Sequence, residues 1–221
     1  MDEHRNQSQI IRKDAQNCFV ESLSDAFDIG RFHLAFATYD LHLPPGKRQT
    51  NNVHIYIEID RFLELHRKLT CGELRYILQN KKQSNDKTPI FQYLGGTSAE
   101  NLQKQGRSRK DGMSLSRTAQ LIYGAKTDFL FIADSGPGQK NEKGLIVPRF
   151  GNRPENHVVV SMSFDDFSGF MLVTEMHYRA WLTSQYLSEN RQKPVGHDPK
   201  KATTIQSIEK HSIPSKFTPM F

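Results

Sequence analysis

Two stretches of the chain share one pattern of apolar and polar positions. VHIYIEIDRFLEL, residues 53–65, overlies VVVSMSFDDFSGF, residues 158–170, without a gap at an offset of 105. Val53, Ile55, Ile57 and Ile59 fall on Val158, Val160, Met162 and Phe164, and Asp60 falls on Asp165. Alternation at period two predicts a half-buried strand with the odd positions of the first copy facing the core. His54, Tyr56 and Glu58 then face outward. Each strand closes on an Asp followed by new apolar spacing (Phe62 and Leu65; Phe167 and Phe170), which is where a helix N-cap is expected. Each copy therefore predicts strand, capped turn and helix, and the fixed offset predicts a tandem repeat. Ile55, Ile57, Phe62, Val160, Met162 and Phe167 are the expected core.

The rest of the chain arranges itself around these two copies. Residues 1–27 are polar and weakly patterned, and predict an arm with at most a short helix around Ile10, Ile11, Phe19 and Leu23. Residues 28–80 form a first sheet-plus-helix unit. It comprises IGRFHLAFATYDLHL as a long strand or bent pair, the turn-rich PPGKRQTNN, and the strand from Val53. Its helix runs over 61–69, pauses near Gly72 and resumes through Leu74, Ile77 and Leu78. Residues 81–112 read as a linker and basic loop: polar KKQSNDK, a short strand PIFQYL, then GGTSAENLQKQGRSRKDG. Residues 113–187 form a second unit, with strands near 114–123, 128–133, 145–150 and 157–164 in a predicted antiparallel meander, then a helix from Asp166 through Trp181 towards Leu187. Residues 188–221 lack periodicity and predict a disordered tail. Its apolar end, IPSKFTPMF, is either a frayed terminus or a docking segment for a protein partner. The expected fold class is α+β: two related units of antiparallel strands followed by a helix, packed as an intramolecular pseudo-dimer.

Composition narrows the function classes. The chain has 221 residues, 36% hydrophobic and 24% charged, enough for a proper core. No apolar run approaches the roughly 18–20 residues that span a bilayer, and the start is too polar for a secretory signal. Two cysteines, Cys18 and Cys71, make no disulfide framework. A reduced, cytoplasmic protein without membrane contact is expected. No phosphate-binding glycine loop, zinc-protease motif, hydrolase elbow or kinase signature occurs, so neither catalysis nor a cofactor is expected.

Net charge is +6 with an isoelectric point near 9.3, which favours an anionic partner. The positive charge concentrates in loops between strands. Lys47 and Arg48 lie in the first hairpin loop, Lys104, Arg107, Arg109 and Lys110 in the long loop, and Lys140, Lys143, Arg149 and Arg153 in the last connections. Cations on strand loops can converge on phosphates, releasing counterions. Single strands also need aromatic faces for splayed bases, and outward Tyr56 is the candidate platform.

On the strand-to-helix segments VHIYIEIDRFLEL and VVVSMSFDDFSGF, with the meander 114–164 before the second, the chain resembles the Whirly and PUR-type single-stranded nucleic-acid-binding proteins over about residues 29–187. The resemblance implies two sheet-plus-helix units that bind on sheet faces and strand loops without catalysing a reaction. The function expected is binding of single-stranded DNA, or RNA, largely independent of sequence. The alternative is an assembly module whose basic loops or tail dock on an acidic protein.

Overall fold

Side-chain parity sorts the chain into two antiparallel sheets. The computed structural model describes residues 7–192. The first sheet is the meander β1 (Gln9–Ala15), β2 (Cys18–Leu23), β3 (Arg31–Tyr39) and β4 (Gln49–Glu58), in that spatial order. α1 (Ile59–Thr70) and α2 (Glu73–Ser84) follow, broken at Gly72, whose φ of 81° is comfortable only for glycine. The second sheet orders β5 (Phe91–Thr97), β6 (Ser114–Tyr123) and β7 (Phe129–Lys140), with the short helix α3 (Ala99–Lys104) inserted between β5 and β6. Besides β6, the long β7 carries two partners: β8 (Ile146–Pro148) along Gly138–Lys140, and β9 (Asn156–Met162) along Phe129–Ser135. α4 (Phe164–Gln192) closes the order, and the compact unit that holds both sheets ends at Thr183. The architecture is α+β, with two antiparallel sheets and four helices among the described residues. None of these helices is long and apolar enough to cross a membrane.

The inward faces meet in one core. In the register of the first sheet, Ser22, Leu34 and Ile55 share a row, as do Phe32 and Ile57. In the second, Leu121, Phe131 and Val160 share a row. Phe36 packs edge-on against Phe131 at 4.9 Å between centroids, joining the two layers. Phe32 is the hub, with Phe62 stacked on it at 3.8 Å, Phe27 at 5.4 Å and Tyr178 at 5.1 Å. All six expected core residues are buried.

Helices that follow one sheet reach the other. α4 lies on the first sheet, where Thr174 and Ser22 hydroxyls hydrogen-bond at 2.7 Å and Tyr178 meets Phe27. α2 is tied to the second. Lys82 pairs with Asp128 just before β7 at 2.7 Å, and Tyr123 of β6 donates to the carboxamide of Asn85 just after α2, while Arg75 sits 3.9 Å over the Phe164 ring at the start of α4.

Several expectations are corrected. Residues 9–23, expected as part of an arm, are the hairpin β1–β2, turned through Gln16 and Asn17 with Asn17 at a φ of 58°. An edge strand needs only one apolar face, so polar Arg12, Lys13 and Asp14 mask its alternation. The linker expected from 81 is helical through Ser84, because Lys81 and Lys82 are anchored by Asp86 and Asp128. The long loop expected from 95 begins instead as the end of β5, then α3, which Ser98 caps by accepting from the Asn101 N–H at 3.3 Å; residues 105–113 are the loop. Asp60 and Asp165 are each the second residue of a helix, α1 and α4, but neither is a cap. Ser163 fills that role for α4 by accepting from the Asp166 N–H at 3.0 Å, while Asp166 accepts from the Ser163 hydroxyl at 2.7 Å. β4 runs straight into α1 without a side-chain cap. The expected tail from 188 begins as helix through Gln192, and its remainder lies outside the described residues.

Phe62 supplies the first test, since its ring is buried and stacked on Phe32. Phe62→Ala should lower unfolding stability by about 3–5 kcal/mol in a urea titration. A loss below about 1 kcal/mol would show that the Phe32 hub does not hold the core.

Candidate nucleic-acid interface

A cleft opens where the core of the second sheet gives out. Inward positions of β6 run Leu115, Arg117, Ala119, Leu121 and Tyr123, and the last three lie in the core. Arg117 occupies the next row, with Gly95 on β5 and Ser135 on β7 as its register partners. The free edge of β4 lies across this end of the sheet, fixed where the Tyr93 hydroxyl donates to the Tyr56 carbonyl at 2.5 Å. Burial and the nearby Glu58 carboxylate push the Tyr93 phenol up to about 12, so it stays a donor. The resulting cleft has a volume of about 920 Å³, and Tyr56, Tyr93, Gly96, Arg107 and Arg117 are among its lining residues. Glycine is required in its floor: a Cβ at Gly95 would come within 2.8 Å of the Tyr93 ring, and one at Gly96 would strike the Leu115 carbonyl oxygen.

The cations of the cleft differ in their partners. Arg31 is paired with Glu58 at 2.8 Å. Arg117 donates to the Thr97 hydroxyl at 2.9 Å and has no ion-pair partner among the described residues. Burial pulls its guanidinium below the ordinary value, and Arg107 beside it acts in the same direction. A half-buried guanidinium without an ion-pair partner carries a desolvation cost that an anion in the cleft would reduce.

Tyr56 is held in place by its neighbour. Its ring stacks on His33 at 4.3 Å with an interplanar angle of 18°. His33 is only 4% exposed. Its Nδ1 lies 2.7 Å from the Asp25 carboxylate, and its Nε2 lies 2.7 Å from His54 Nδ1. A carboxylate accepts, so Nδ1 of His33 carries the hydrogen, and in the neutral ring Nε2 accepts from His54. Burial lowers the His54 pKa, helped by His33 and Arg117. The Asp25–His33–His54 chain thus orients the ring beneath Tyr56 through two directional hydrogen bonds.

Of the residues expected at a binding site, the cleft gathers Tyr56 and Arg107. Lys47 and Arg48 are exposed at the opposite end of β4, where Arg48 donates to the Leu43 carbonyl at 3.2 Å. Lys104 and Lys110 are exposed. Arg109 is not free: it forms ion pairs at 2.7 Å with both Asp111 and Glu155, which raise its pKa. Lys140, Lys143 and Arg149 line a separate hollow of about 480 Å³ at the β7–β8 hairpin, together with Glu142. Arg153 is exposed in the turn before β9. Arg117 escaped the sequence reading, although SLSRTAQLIY places a charge at a core-facing parity. His33, Asp25 and Tyr93 carried no such signal, because their roles depend on contacts between strands and across the sheets. Among the described residues no group of three His, Cys, Asp or Glu is placed to hold a metal ion.

The depressed His54 pKa has a consequence for stability. The unfolded chain takes up this proton near the ordinary value of 6.5, and the folded chain only at lower pH. Stability associated with neutral His54 is therefore present above that value and is lost as pH falls through it towards the folded pKa. Melting midpoints measured from pH 7 downward should fall more steeply for the wild type than for His54→Gln; parallel curves would show that His54 is not linked to folding. Comparison with protein-family models, curated proteins and solved structures gives no match, so the cleft is interpreted on its own chemistry.

Proposed function

We propose that the chain binds single-stranded nucleic acid, DNA in the first instance, in the cleft between the β4 edge and the second sheet, without catalysis. The observation that carries this reading is Arg117, a half-buried cation with no carboxylate partner among the described residues, lining the same cleft as a Tyr56 ring backed by His33. Phosphate supplies the missing counter-charge, and a splayed base supplies the partner for the aromatic face. Duplex is disfavoured, because its bases are already stacked and the platform lies inside a concavity. Lys104, Lys110 and the Lys140–Lys143–Arg149 hollow extend the positive surface for neighbouring phosphates.

The two sheets are, on this reading, related units packed as a pseudo-dimer. Support comes from the order β1-β2-β3-β4 before α1 and β5-β6-β7-β9 before α4, and from Asp60 and Asp165 at the same place in their helices. The likeness to Whirly and PUR-type proteins rests on this arrangement of sheet and helix.

The test is a fluorescence titration with single-stranded DNA, RNA and duplex across a salt series. Tyr56→Ala should weaken single-strand binding by about 1–3 kcal/mol. Arg117→Met should reduce the salt slope by about 0.7 for the phosphate lost, while leaving the melting temperature unchanged or higher. Equal affinity of both variants and wild type, or a preference for duplex, would overturn the proposal.

A further inference from the structure

We propose that the cleft selects one base, adenine, by its edge, with Asn101 of α3 and Gln105, which caps that helix, as the specificity-determining residues; this rests on the nucleic-acid reading of the same cleft. The two side chains lie four residues apart in a helical turn, since the Gln105 N–H donates to the Asn101 carbonyl at 3.1 Å, so both occupy one face. Both line the cleft that contains Tyr56 and Arg117. Neither carboxamide is engaged by a described residue; the Asn101 contact to Ser98 uses its backbone N–H.

The helix that carries them is fixed in place rather than free-hanging. Leu102 is buried beneath it, the Ala99 N–H donates to the Ser114 hydroxyl at 3.1 Å, and the Arg107 N–H donates to the Leu102 carbonyl at 2.9 Å. α3 is also an insertion: the first sheet has no helix between its strands. A base stacked on Tyr56 has its faces satisfied by the ring, and its edge then needs donors and acceptors. A carboxamide offers one of each, side by side, and on its N7 edge adenine alone among the four bases presents a donor, N6, beside an acceptor, N7. The large purine face also gains most from the platform. Arg107 and Arg117 remain for the flanking phosphates, so charge supplies affinity and the amides supply choice at one position.

The experiment measures binding of short oligothymidylates in which one nucleotide is replaced by dA, dC or dG, using wild type and the Asn101→Ala/Gln105→Ala double variant. Wild type should bind the dA oligonucleotide about tenfold more tightly than oligothymidylate. The double variant should bind all four alike, with its melting temperature unchanged and its affinity for oligothymidylate kept within about twofold. A preference for dC or dG, no preference in the wild type, or a dA preference that survives in the double variant overturns the base-selection inference while leaving single-strand binding intact. Failure of the wild type to bind any of the four overturns the nucleic-acid reading itself.

Discussion

The aromatic layer around Phe32 is the interaction on which the other features depend. Phe32 lies on β3, yet its ring touches Phe62 of α1 and Tyr178 of α4, while Phe36 four residues on meets Phe131 of the opposite sheet. Neither sheet has a complete core alone, because each buries its inward face against the other. Close packing of large rings tolerates little sliding, so the sheets are fixed in relative position. That position carries the β4 edge across the end of β6, and the cleft is a consequence of it.

What distinguishes the cleft is the state of its charges rather than their number. Much of the basic surface is either exposed to water or neutralised by a partner, as Arg109 is by Asp111 and Glu155. Arg117 is neither, being partly withdrawn from solvent by the sheet and given a neutral hydroxyl as its partner. Exposed cations gain little from an anion that water does not already provide, whereas a desolvated one gains more. The same low-dielectric surroundings, with Arg117 nearby, favour the neutral form of His54.

The exchange of helices between sheets gives the unit its cohesion. α4 covers the sheet at the start of the chain, while α2 and the Asn85 that follows it are tied to Asp128 just before β7 through Lys82, to Tyr123 of β6 through Asn85, and to Phe164 at the start of α4 through Arg75. These contacts join residues far apart in sequence. They also explain why residues 81–84, polar enough to read as a linker, are held as helix.

The alternation of Val53–Ile57 and Val158–Met162 by itself determined two strands, their inward residues and the helices after them, because parity and helical spacing are local properties. β6 was legible at both ends for the same reason. The hairpin β1–β2 was not, since an edge strand shields only one face and its Arg12–Asp14 pairing resembles solvated surface. Tyr56 was identifiable from its outward parity, but its stacking on His33 was not, because register across β3 and β4 decides that contact. Basic residues in loops were visible as composition, and only the tertiary structure decided which of them are spent on carboxylates and which face the cleft. Arg117 marks the boundary between the two kinds of knowledge. Its inward parity is written in the sequence, whereas the absence of a counter-charge depends on every element packed around it.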